Sequence, residues 1–155
     1  MSSESPICKL KEAFANIKDY EEMSGLFENW FHDPSDVKGV FIMLAGHFSS
    51  KEGSLFTFTA RPGVSFSFKA FVNHGSGEDR LFGLVDIIDD DPENRWLSVC
   101  FYDETITDPR GAGNLIPEGL LKEDGYCFDL FEDDGSMISY MNRKIDEAYR
   151  NTRSP

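Results

Sequence analysis

Residues 55–72 constrain this chain more than any other stretch. Leu55–Ala60 alternates as Leu-Phe-Thr-Phe-Thr-Ala. Val64–Val72 places Val64, Phe66, Phe68, Ala70 and Val72 on one face and Ser65, Ser67, Lys69 and Phe71 on the other. Between them, Arg61-Pro62-Gly63 sets Pro and Gly at the central positions of a type II turn. Two alternating runs on one tight turn predict an antiparallel pair with one apolar face, and that face demands a covering layer.

The rest of the chain supplies more strands and the cover. Val40–His47 is an apolar run of strand length. Leu81–Ile88 is apolar except for Asp86, Trp96–Tyr102 reads as a further strand and Tyr126–Phe131 as a sixth. Polar turns at Asn73–Arg80 and Asp89–Arg95 join neighbours, which predicts a meander. Ser5-Pro6 reads as a helix start, and apolar residues from Leu10 to Phe31 recur at helical steps, with a break expected near Ser24-Gly25. Asp133-Asp134-Gly135-Ser136 should cap a last helix carrying Ile138, Met141, Ile145 and Tyr149. Asp103–Gly125 has no firm period and is expected to be a long loop with a short helix near Glu118–Lys122. The predicted fold class is α+β: a two-layer sandwich, an antiparallel meander of five to six strands against an N-terminal and a C-terminal helix. It forms one domain over residues 1–155, with loose tails at 1–5 and 151–155.

Charge narrows the partners. The chain has 155 residues and a net charge of -13. Residues 1–80 hold eleven acids and eight bases, whereas residues 81–155 hold seventeen and seven. Most of the excess lies between Asp86 and Asp134. Such a field disfavours nucleic acid and membrane surfaces and favours a basic protein or a cation. Fourteen Phe, five Tyr and two Trp exclude disorder. Cys8, Cys100 and Cys127 are odd in number and lack a C-x-x-C, so they read as free thiols rather than a secreted disulfide framework. The start, Met1-Ser-Ser-Glu-Ser-Pro, has neither the basic nor the apolar part of a signal peptide, and a cytoplasmic protein is expected.

No catalytic constellation is legible. Gly63-Val-Ser65-Phe-Ser67 lacks the second Gly of a nucleophile elbow and sits inside a strand. Gly111-Ala-Gly113 lacks the third Gly of a dinucleotide loop. His32, His47 and His74 have no zinc spacing. The runs Asp89–Glu93 and Glu132–Gly135 lack the spacing of an EF-hand and read as solvated turns. No cofactor and no metal is expected.

Two helices cover one sheet face only. The core face takes Phe56, Phe58, Phe66, Phe68, Val85, Ile87, Leu97, Val99 and Phe101. The other face then shows Thr57, Thr59, Ser65, Ser67, Lys69, Phe71, Phe82, Leu84, Asp86, Trp96, Ser98, Cys100 and Tyr102. That second face is too apolar to stay bare, and the 103–125 segment, a second copy of the chain, or a ligand could cover it. Lys69, Asp86, Trp96, Ser98 and Tyr102 are the candidate binding residues. The expected function is a non-catalytic interaction domain using this face or the acidic 86–134 region against a basic protein or as a homodimer. The alternative is a small-ligand or metal pocket under the 103–125 loop.

The order helix, meander, helix in an acidic chain resembles the outline of the frataxin architecture, and Arg95-Trp96-Leu97-Ser98 is similar to that family's tryptophan-bearing strand. The resemblance implies a sheet backed by two helices, and iron bound through acidic residues. The chain departs from it in two ways. Its first helix mixes Lys9, Lys11 and Lys18 with Glu12, Asp19, Glu21 and Glu22, and its acids gather after Asp86.

Overall fold

A computed structural model describes residues 7–73 and 77–153. The expected hairpin forms as its turn chemistry requires. β1 (Leu55–Arg61) and β2 (Ser65–Asn73) pair antiparallel with Phe58 opposite Phe68 and Thr59 opposite Ser67. Gly63 takes the positive φ, 83°, that a type II turn requires. β3 (Asp79–Ile88), β4 (Trp96–Tyr102), β5 (Asn114–Leu120) and β6 (Glu123–Leu130) complete one antiparallel sheet in the order β1-β2-β3-β4-β6-β5.

The helices α1 (Ile17–Glu28), α2 (Val37–Ser49) and α3 (Gly135–Arg153) build the second layer with a 3-10 segment, Cys8–Ala13. The nine residues expected on the core face are all buried, within one cluster that also holds Met23, Leu44, Met141 and Ile145. Phe68 is the hub of its aromatic part: Phe14, Phe41, Phe48 and Phe56 all place rings within 6.2 Å of it. The fold is α+β, as the pattern of strands and helices predicts.

Five expectations change. Val40–His47 is not a strand but the middle of α2. Val37, Val40, Phe41, Leu44, Ala45 and Phe48 bury at helical spacing, while Asp33 accepts from the N–H groups of Val37 and Lys38 at the helix start. The N-terminal break falls at residues 14–16, where Asn16 caps α1 and accepts from the N–H of Asp19; Gly25 sits inside the helix. The expected start at Ser5-Pro6 lies outside the described residues. Residues 103–125 are a loop only as far as Gly113: a 3-10 turn, Asp103–Thr105, and an irregular stretch lead into the hairpin β5–β6, whose turn, Leu121-Lys122, stands where a short helix is expected. Cys100 and Cys127 are not free. They face each other across β4 and β6 with Cα atoms 4.2 Å apart and are joined as a disulfide, leaving Cys8 as the free thiol. Finally, α3 runs through Arg153 instead of fraying at Asn151, because Thr152 is buried and the Asn151 amide donates to the Thr105 carbonyl.

The expected faces hold with one exception. Between Ala70 and Phe71 the β2–β3 register shifts, so Ala70 faces Gly83 and Phe71 faces Leu81. The extra residue of this bulge is Phe82, which turns into the core against Phe48 and Tyr149 instead of standing on the open face.

Candidate functional site

The strand registers line up one polar row across the face without helices. Thr59 pairs with Ser67, Ser67 with Asp86, Asp86 with Ser98, and Ser98 with Asp129. Alternation puts all five on the same side of the sheet. Ser67 is buried, and its hydroxyl donates to the Asp86 carboxylate at 2.5 Å. Burial pushes the Asp86 carboxyl above its ordinary value, against the opposing pull of the Ser67 hydroxyl, Lys69 and Arg61. Burial raises Asp129 as well. The row therefore carries one poorly solvated carboxylate, Asp86, and beside it an exposed one, Asp129.

One strand step away lies a smaller apolar cluster: Leu81, Leu84, Cys100, Tyr102 and Leu120, with Phe71 and Cys127 against it. Leu120 arrives from β5, so the hairpin supplies part of the cover expected from the 103–125 segment. The disulfide belongs to this cluster and ties β6 to β4 across the open face.

The five candidate residues do not converge on one point. Asp86 and Ser98 are direct partners across β3 and β4. Lys69 pairs with Leu84, diagonal to Asp86. It acts on that carboxylate through its field, and no ion pair joins them among the described residues. Trp96 and Tyr102 stand at opposite ends of β4, roughly 20 Å apart at strand rise.

Each end of β4 has its own environment. Tyr102 lies under the Arg80 guanidinium, 4.3 Å from its ring centre, and Arg80 reaches Glu104 and Glu123 at 3.0 and 3.2 Å. Tyr102, Glu104 and Glu123, with Asp103, Glu118, Lys122 and Asp124, line an open depression of about 370 Å³. Lys69, Asp86, Trp96 and Ser98 are not among its lining residues. Trp96 instead packs its ring on Phe131, 5.1 Å between centres, and lines a cleft of about 200 Å³ with His32, Val37 and Arg95. Sequence reasoning missed this cleft because its walls come from three segments far apart in the chain, and only Trp96 stood out as a surface aromatic.

The acidic 86–134 region thus divides between the two ends of the sheet, and some of its carboxylates serve the fold. Asp89 is buried, accepts from Arg95 Nε at 2.7 Å and from the Gly63 N–H at 2.8 Å. Asp108 accepts from the hydroxyls of Tyr126 and Tyr140, both at 2.6 Å, and from the N–H groups of Ala112 and Gly113. Burial opposes its ionisation, but these donors outweigh burial and hold the carboxyl well below the usual range. The same bond pushes the Tyr126 phenol up to about 12. Among the described residues no three His, Cys, Asp or Glu side chains gather as a metal cradle. His47 bonds Asp146 at 2.8 Å, and His74 lies outside the described residues. Among the described residues no helix is long and apolar enough to cross a membrane.

No protein-family model, curated protein or solved structure matches the chain.

Proposed function

We propose that this protein is a non-catalytic interaction domain that binds a basic protein through its open sheet face and the acidic turns beside it. The observation that carries the reading is the row Ser67–Asp86–Ser98–Asp129, which holds two carboxylates, Asp86 poorly solvated and Asp129 exposed, on a face without a helical layer. A cationic side chain docking there supplies the countercharge that water supplies poorly. The uneven charge of the chain supports the same partner chemistry and disfavours nucleic acid and membrane surfaces. The reading keeps the cytoplasmic setting expected from the sequence. There a reducing thiol pool would act on Cys100 and Cys127.

Capture from lysate of the source organism at low salt, followed by salt elution, tests it. The expected result is a stoichiometric basic protein that elutes with salt and is lost with the Asp86→Asn/Asp129→Asn variant. A partner retained equally by wild type, by that variant and by Lys69→Ala overturns the assignment of the face. Concentration-dependent self-association that Trp96→Ala or the double Asn variant abolishes would give the face to a second copy instead.

A further inference from the structure

The Trp96 end of the sheet has a construction that the open-face row does not explain. Its cleft lies between the chain that leaves α1, the start of α2 and the turn before β4. Trp96 and Phe131 form one wall and buried Val37 contributes to the lining. Phe131 is 60% exposed, and Phe31, next in sequence to His32 of the cleft, is 86% exposed. Large rings left in water beside a concavity mark a contact more often than a solvated surface does. The volume, about 200 Å³, is below the roughly 300–1,000 Å³ of small-molecule sites and suits one long side chain.

Charge selects which side chain. The turns that bound the cleft, residues 89–95 and 131–134, hold seven carboxylates against a single arginine. That arginine, Arg95, is already engaged by Asp89 and lies 4.9 Å from the Trp30 ring. The start of α2 offers no anion site, because Asp33 and Asp36 accept from its first N–H groups. Glu93 makes no ion pair among the described residues.

Elsewhere the fold satisfies this combination of ring and carboxylate with a cation: Arg80 over Tyr102 beside Glu104 and Glu123, Arg95 over Trp30 beside Asp89, and, at longer range, Lys51 over Tyr149 beside Asp146 and Lys144 over Tyr140 beside Glu147. The Trp96–Phe131 pair has rings and carboxylates of the same kind, and among the described residues no cation lies over either ring. Arginine matches the two better than lysine, since its planar head stacks on an aromatic face while its edge donates to a carboxylate. We infer that this cleft receives an arginine side chain from a basic protein segment, stacked on Trp96 and Phe131 and paired with Glu93. The inference rests on the reading of the chain as a binder of basic partners and names the residue the partner inserts.

A nine-residue peptide alternating Arg and Gly, titrated into ¹⁵N-labelled protein, tests it, with a Lys-for-Arg peptide as comparison. The Trp96 indole is the reporter, because its ring lines the cleft. Saturable movement of the Trp96 indole signal is expected. The Lys peptide should bind several-fold more weakly, and Phe131→Ser, at an exposed position that leaves the core intact, should weaken the Arg peptide about tenfold. A Trp96 signal that stays still at roughly millimolar peptide, equal binding of both peptides, or an unchanged Phe131→Ser variant overturns the inference. The outcome is separable from that of the lysate capture. A dead cleft beside a partner lost with Asp86→Asn/Asp129→Asn removes this inference alone. An active cleft with no captured partner removes the proposed function and leaves the arginine site.

Discussion

Asp108 shows how one carboxylate can organise a segment that has no regular structure. It collects two phenol hydroxyls and two backbone N–H groups, and so fixes residues 107–113 against β6 and α3. Asp108→Ala should lower stability by about 1–2 kcal/mol, the lower part of the range for charged hydrogen bonds because the site is partly open to water. Its native carboxyl lies below the ordinary value, so this contribution is present above about pH 4 and fades as pH falls through the native value. Urea titrations of both proteins from pH 7 to pH 2 should show the difference narrowing below about pH 4 without closing by pH 2. Asp86 has the opposite sign. Its native carboxyl lies above the ordinary value, so ionisation costs stability as pH rises from about 4 through the native value, and the cost persists above it. Asp86→Asn should therefore melt higher than wild type at pH 7, with the difference gone below about pH 3. A variant that melts lower at pH 7 would show that the Ser67 and Lys69 interactions outweigh burial.

At the scale of elements, the sequence is most legible where period and turn chemistry agree. The alternation of residues 55–72 with Pro62-Gly63 gives both the hairpin and its faces, and Asp134 caps α3 where a cap is expected. Val40–His47 misleads because α2 is apolar on nearly every side, which hides its helical period, and the run is as short as a buried strand. The β5–β6 hairpin is illegible for a different reason. Its turn places Leu121 at φ 48° and Lys122 at φ 70°, a pair of left-handed positions where Asn-Gly is the usual signal. Leu121→Asn/Lys122→Gly should stabilise the fold by about 1 kcal/mol, read as a higher urea midpoint with an unchanged slope. The candidate row is legible residue by residue, but its alignment depends on register, and the Phe82 bulge shows how one inserted residue moves a ring to the other face. Gly83 beside it is a packing requirement: a Cβ there would lie 2.6 Å from the Phe48 ring. Gly83→Ala should cost about 1–3 kcal/mol in thermal or urea unfolding.

For the whole molecule, covalent and electrostatic state are the quantities to measure first. Alkylation of denatured, unreduced protein should modify Cys8 alone, and three thiols should react after reduction; three without reduction would break the tie between β4 and β6. A net charge of -13 also predicts a melting temperature that climbs between about 0.01 and 0.5 M salt as self-repulsion is screened. The two edges of the sheet differ. β1 is sealed by the Phe14–Phe56 bridge and by Asp19, which accepts from the Phe58 N–H, whereas β5 keeps its outer edge and bends it with Pro117 and a register shift. The rings around Phe68 carry a consequence for synthesis. Phe14, Phe41, Phe48 and Phe56 all precede Phe68 in the chain, and Phe82 follows shortly after. Once residue 82 has left the ribosome every ring of that hub is available, so a nascent chain can start closing its aromatic centre before most of the acidic half has emerged.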